Sequence, residues 1–381
     1  MESIIKEALL KHQQRQVARA AMESISPVSK EEQELEELCE SLRVRVKIVG
    51  CGGGGCNTIN RLVESGITGA EMYAINTDAK SLLMIHSPHK ILTGKKTTKG
   101  LGAGAMPSIG EAAAKESEDD IKAALADADI IFVTCGMGGG TGTGTAPYVA
   151  KLAKDTGALT MAVVTLPFKA EGAQRMDNAL YGLDRLRRAC DTVIVIPNDK
   201  LLELAPRLPL DKAFKVADEV LMRIIKSITE IITKPGLVNL DFNDLRTVMA
   251  GGGAAMIGMG ESDEGDRAEN AVNQALKSPL LDVDIKDATG ALVQVVGGTD
   301  MTLAEASKVV EILGSKINPM ARIIWGAAID PTMERTITVL LVIVGVKYNT
   351  KREALQRAAR REPAIEVIEK DDDIGIDFIR K

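Results

Sequence analysis

The chain has 381 residues, more than one ordinary domain of about 100 to 200 residues holds, so two domains with tails are expected. Its 45% hydrophobic and 26% charged residues belong to a globular protein, and an aromatic share of 3% leaves the core to Ala, Val, Ile, Leu and Met. A net charge of -6 excludes a nucleic-acid binder that works by neutralising many phosphates, while leaving room for a local nucleotide cradle.

Residues 1–43 read as an N-terminal helical extension: Ser29 and Glu32 make a capping box, and Leu35, Leu38, Cys39 and Leu42 then share one face. From residue 44 strands and helices alternate. The strand VRVKIVG precedes a helix from Asn57, EMYAIN and DIIFVTCG precede helices of which the second starts at Thr145, LTMAVVTLP precedes a helix through Arg188, and TVIVIPN closes the series. Such alternation predicts an α/β, Rossmann-like nucleotide-binding domain over 44–210, with a parallel sheet and ligands at the carboxyl ends of its strands.

Residues 211–235 predict a long central helix closed by Pro235 and Gly236, with Val216, Val220, Ile224, Ile228 and Ile231 on a core face that Ala213, Ala217, Leu221, Ile225 and Ile232 widen. Over 236–348 the strands AAMIGMG, GALVQVVGG, ARIIWGAAI and TITVLLVIVGV mix with helices such as DRAENAVNQALKS, predicting a second, α+β domain. Residues 349–381 form a charged tail ending in IGIDFIRK. The cysteines (39, 51, 56, 135, 190) make no C-x-x-C pair and the three histidines no H-E-x-x-H, so neither a disulfide framework nor a protein-held metal is expected. The N-terminus lacks a signal-peptide core, and the longest apolar run, Val339–Val346, falls far short of the ~20 residues of a membrane helix. The expectation is a cytoplasmic protein that does not insert into the membrane.

Three glycine clusters carry the chemistry. Gly50-Cys51-Gly52-Gly53-Gly54-Gly55 fits G-x-G-x-x-G between strand and helix, the pattern of a phosphate at a helix N-terminus. With Asp78 on a ribose or a metal-bound water, that cluster alone points to an NAD-dependent dehydrogenase. GMGGGTGTGTAP (136–147) adds a second cradle: Gly138, Gly139, Gly140 and Gly142 admit close backbone approach, and Thr141, Thr143 and Thr145 read as further donors. GLGAGA (100–105) is a third, weaker cluster. Two cradles on neighbouring strands suggest a di- or triphosphate gripped from both sides, and no P-loop lysine motif is present.

The second cluster resembles the signature loop of the tubulin and FtsZ superfamily, in its FtsZ form. VGCGGGGCN, NTDA, GLGAGAMPSIG, VVTLPF, EGAQRM, IPNDKLL and GLVNLDFNDLRTVM resemble further FtsZ segments in the same order, over about residues 44–348. The resemblance implies GTP and GDP as ligands, with Gly53, Gly54 and Asn57 in the first loop and Ala103 and Gly104 in the third. It places Gly138 to Thr143 on the phosphates, Glu171 and Arg175 on the ribose and phosphate side, Phe214 on the base, and Asn198 and Asp218 on guanine. It implies a cell-division GTPase that polymerises head to tail, located in the cytoplasm at the division site. The implied catalytic residues, Asp241 and Asp244 with Asn239 as polar positioner, follow the long helix and so lie roughly 30 Å from Phe214 and Asp218. A neighbouring subunit would have to deliver them, to orient the attacking water and help hold a Mg2+. IGIDFI resembles the FtsZ C-terminal peptide, which implies a membrane-tethering adaptor as partner. A cell-shape GTPase of the same superfamily, the dehydrogenase and an inactive scaffold remain alternatives at this point.

Overall fold

The structure is a computed structural model that describes residues 43–346 except 205–208, 235, 239 and 282. The expected N-terminal extension before Arg43, the tail from residue 347 and Asn239 therefore lie outside the described residues.

Runs such as VKIVGC and LTMAVVTL are apolar without alternation because these strands are buried on both faces. β1 (Val46–Cys51), β2 (Ala70–Asn76), β3 (His89–Leu92), β4 (Ile130–Gly136), β5 (Leu159–Leu166) and β6 (Thr192–Pro197) lie parallel in the order β3-β2-β1-β4-β5-β6. The chain direction across the sheet reverses between β1 and β4, which opens a crevice at their carboxyl ends. The connecting helices are α1 (Gly52–Glu64), α2 (Ala79–Leu83), α3 (Pro107–Glu116), α4 (Glu118–Leu125), α5 (Thr141–Asp155), α6 (Ala173–Ala189) and α7 (Asn198–Leu204).

α8 (Leu210–Thr233) is the long helix that the apolar spacing predicts, with Ile224, Ile225 and Ile228 almost fully buried. After α9 (Phe242–Met249), the strands of the second half extend the same sheet. β7 (Gly253–Ser262) joins β6 in parallel over three residue pairs, and β10 (Ile337–Val344) runs antiparallel between β7 and β8 (Gly290–Gly297). β9 (Arg322–Ile329) closes the ten-stranded order, and α10 (Arg267–Leu276) and α11 (Leu303–Lys316) cover the second half. One core runs from Ile48 and Phe132 through α8 to Leu292 and Leu340, so α8 packs against both halves. Among the described residues no helix is long and apolar enough to cross a membrane.

Two helix starts differ from expectation. α1 begins at Gly52 rather than Asn57, and α5 at Thr141 rather than Thr145. Glycine propensity argues for loop at both places, but tertiary contact overrides it. A Cβ on Gly55 would lie 2.3 Å from the Thr134 carbonyl oxygen, and one on Gly50 would lie 2.4 Å from the Gly55 oxygen. The first turn of α1 thus sits on β1 and β4 backbone to backbone. Gly55→Ala is expected to destabilise the protein by about 1–3 kcal/mol through overpacking, read as a lower urea midpoint at unchanged slope.

Candidate functional site

The three glycine clusters converge. A Cβ on Gly52 would meet the Gly142 nitrogen at 2.6 Å, and one on Gly140 would meet the Gly104 and Ala103 oxygens at 2.2 and 2.9 Å. One on Gly144 would meet the Pro107 oxygen at 2.0 Å, so the start of α3 lies on the start of α5. The end of β2 joins them through a 2.6 Å hydrogen bond between the Thr77 and Thr141 hydroxyls. The first turns of α1 and α5, the GLGAGA loop and the NTDA segment form one surface.

That surface suits an anion. Neither α1 nor α5 has a side-chain N-cap bond or an acidic residue in its first turn, so their amides and positive ends are not neutralised from within. Gly53 and Gly139 are most telling. Both have ordinary φ, and a Cβ on either would meet nothing within 4 Å. Glycine in the first turn of α1 costs about 1 kcal/mol against alanine with no protein contact to require it. A ligand that comes against the backbone explains it. Asn57 is exposed one turn after Gly53, on the same face of α1.

Beside this cradle is a cavity of about 410 Å³ lined by Gly104, Ala105, Gly138 and Gly139 on one side, and by Glu171, Gln174, Arg175 and Asn178 on the other. Gly138 has φ 105°, and a Cβ there would lie 2.7 Å from the Arg175 oxygen. Glu171 pairs with Arg175 at 3.1 Å and accepts from the Phe168 amide at 2.8 Å, while Asn178 Nδ2 donates to the Ala105 oxygen at 3.0 Å. Gln174 and Asn178 were not singled out from sequence. Gln174 lies inside the EGAQRM segment, and Asn178 follows one helical turn later.

At the start of α8, Phe214 is 38% exposed and meets the buried Phe168 ring edge to face at 5.1 Å. Asn198, at the head of α7, is buried with its Oδ1 lacking any hydrogen-bond partner. A buried orphan acceptor is costly unless a ligand satisfies it. Asp218 is shielded between α8 and α1, and burial pushes its carboxyl up to about 6 even though Arg61, 3.7 Å away, pulls it down. The residues thus offer stacking, a buried and a half-buried acceptor and a phosphate cradle.

Two expectations need correction. The hydroxyls of Thr143 and Thr145 do not line the cradle as donors: Thr143 Oγ1 accepts from the Gly138 amide at 2.8 Å, and Thr145 Oγ1 donates to the Gly110 oxygen at 3.1 Å, both buried. They brace the loop from below, because α5 starts a turn early and carries them inward. Asp78 is engaged as the N-cap of α2, accepting from the Lys80 and Ser81 amides at 2.9 and 3.1 Å and from the Ser81 hydroxyl at 2.8 Å.

The structure does not bring the acidic motif to these residues. Asp241 caps α9, with Oδ1 accepting from the Asn243 amide at 3.0 Å, and Asp244 follows in the first turn, both exposed. Fifteen residues of α8 separate Asp218 from the helix end at Thr233, which is more than ~20 Å of helix. Among the described residues, no group of three or more His, Cys, Asp or Glu could hold a metal ion.

Two family models match the chain: the GTPase domain of the Tubulin/FtsZ family over residues 45–206 and the C-terminal domain of the FtsZ family over residues 253–347. Cell division protein FtsZ 1 of Archaeoglobus fulgidus is 55% identical over 347 residues, 91% of this chain and 94% of that protein. An empty FtsZ dimer of M. jannaschii superposes with a TM-score of 0.80 at 57% identity, covering 83% of this chain and 92% of the other. CetZ2 from Haloferax volcanii, in a GTPγS-bound protofilament, superposes with a TM-score of 0.71 at 23% identity, covering 83% and 98%, a likeness of fold alone.

Gly139→Ala separates ligand from fold. It is expected to leave stability within about 0.5 kcal/mol and to weaken nucleotide binding at least about tenfold, measured by thermal melting and by titration of a fluorescent guanine nucleotide.

Proposed function

The chain belongs to the FtsZ family of tubulin-like GTPases, and from that premise we propose how its two separated half-sites work as one. It is a filament-forming cell-division GTPase. The NAD-dependent reading of the first glycine cluster and the cell-shape reading both give way to this family.

The observation that carries the proposal is the placing of the cradle and the α9 carboxylates at opposite ends of α8. In our reading the triphosphate rests on the amides of Gly53, Gly54 and Gly138 to Thr143, with Ala103 and Gly104 closing over it and Asn57 beside it. Glu171 and Arg175 flank the ribose and phosphates. Asp78 serves by holding α2 and the GLGAGA loop in place. Phe214 stacks on the base, Asp218 accepts from the guanine N1–H and 2-amino group, and Asn198 Oδ1 is a second acceptor. Adenine offers no such donor pair, and an acceptor left unpaired by the wrong base discriminates strongly.

Asp241 and Asp244, with Asn239, act on the nucleotide of the next subunit in a head-to-tail filament, where the contact is heterologous and extends without closing. There a carboxylate orients the water that attacks the γ-phosphorus and takes its proton, while the bond to the β-phosphate oxygen breaks and GDP leaves. Asp241 and Asp244 of the neighbouring subunit would help hold Mg2+ against the phosphates, where the ion would supply charge neutralisation. We further propose that the terminal IGIDFI segment binds a membrane-tethering adaptor and that the filament works in the cytoplasm at the division site.

Hydrolysis per molecule should be negligible at low protein concentration and switch on above a threshold; a constant rate per molecule would place all catalytic groups in one chain. Asp241→Ala should lower turnover by at least about a hundredfold with GTP affinity nearly unchanged, and a collapse of affinity would sink the division into half-sites. Asp218→Asn should weaken GTP binding and favour xanthosine triphosphate, whose 2-carbonyl accepts from the new amide.

A further inference from the structure

Arg61 is not among the residues that the glycine clusters or the base-reading positions account for. It lies on α1, eight residues after Gly53 and four after Asn57, on the face of the helix that begins at the phosphate cradle. Its Nε lies 3.7 Å from Asp218 Oδ2 and its Nη1 3.8 Å from Glu219 Oε2, and both Arg61 and Asp218 are largely shielded, with side chains 27% and 18% exposed. A tight charge-assisted hydrogen bond would be about 2.7–2.9 Å. At 3.7 Å the guanidinium acts as a neighbouring charge and leaves the carboxylate's acceptor positions free.

We propose that Arg61 is a specificity-determining positioning residue: it holds Asp218 ionised, and therefore able only to accept, at the pH where guanine is bound. This rests on the reading of Asp218 as the guanine-reading group. Burial alone favours the protonated carboxyl, whose O–H would face the N1–H and 2-amino donors of guanine with a donor of its own. Arg61 opposes that outcome. Burial already drives the Asp218 carboxyl up to about 6 with Arg61 in place, so its removal brings the titration into the neutral range. In that state the site would match adenine N1, an acceptor, better than guanine.

The surroundings leave this task to Arg61. The elements packed against α8 are α1, α7, β5 and β9. α1 contributes Arg61 and Glu64, the latter accepting from Asn60. α7 contributes Asp199, paired with Lys169, and Lys200 paired with Glu203. β5 carries no titratable side chain, and β9 only Arg322 at its first position. On α8 itself, within one turn of Asp218, lie Lys215, exposed, and Glu219, which Arg223 also binds at 3.1 Å. Among the described residues, Arg61 is the cation within salt-bridge reach of Asp218.

The test is GTP and ATP binding to the full chain, stripped of nucleotide and kept below the assembly threshold, from about pH 5.5 to 8.5. Titration of the phosphates is common to every variant and cancels in their ratios. Wild type should bind GTP with constant affinity above about pH 7 and lose it below about 6. In Arg61→Gln the acid limb should move up by about one pH unit, so that near pH 6.5 GTP binds about threefold more weakly, approaching tenfold near pH 5.5, while affinity near pH 8.5 approaches wild type. The preference for GTP over ATP should fall over the same range. Arg61→Lys should restore the wild-type profile. Glu219→Gln frees Arg61 for Asp218 and should move the limb the other way, which keeps the test alive if Arg61→Gln does not fold. Asp218→Asn should bind GTP weakly with no acid limb of its own. If it binds like wild type, the guanine-reading role itself is wrong. If Asp218→Asn behaves as expected but the Arg61 and Glu219 variants keep the wild-type limb, or weaken binding equally at every pH, the inference about Arg61 fails alone.

Discussion

The close approach of bare backbone at the carboxyl ends of β1 and β4 underlies the rest of the molecule. Gly52 on Gly142, Gly140 on Ala103 and Gly104, and Gly144 on Pro107 leave no room for a side chain between the segments. Because these contacts are backbone to backbone, two helix N-termini point at one place without an internal anion to quench them. The proposed phosphate cradle is therefore a consequence of packing as much as of composition. The threonines that alternate with the glycines serve the same packing, with Thr143 and Thr145 bonded inward.

α8 sets the second constraint. Its buried isoleucines tie it to the nucleotide half, and the same core reaches Leu292, Leu340 and Val342 of the second half. A helix fixed on both sides is a spacer of set length. It keeps Phe214 and Asp218 apart from the α9 carboxylates within one chain, so on the proposed roles chemistry that needs both draws on two subunits. On the proposed function, that length links catalysis to assembly without any moving part.

Electrostatics tune what the packing positions. Asp218 is shielded enough for its charge to be costly, yet in the proposed role it reads guanine as the charged form. On the proposed reading Arg61 reconciles the two from α1, the helix proposed to meet the phosphates with its first turn. Asn198 shows the same logic without charge, an acceptor buried and waiting for a donor.

The sequence by itself determined the alternation of strand and helix, the apolar face of α8, the three glycine clusters and the acidic motif. Each of these is a local pattern, set by side-chain periodicity or by the absence of side chains. Only the tertiary structure decided where α1 and α5 begin, because contact with β1 and β4 outweighs glycine's poor helix propensity. It alone decided that the second half extends the first half's sheet through Thr192 and Gly253, that Asp78 is a helix cap, and that Arg61 faces Asp218 from 157 residues away. Those facts depend on which backbones and charges meet across the fold, and long-range contact leaves no periodic trace in the chain.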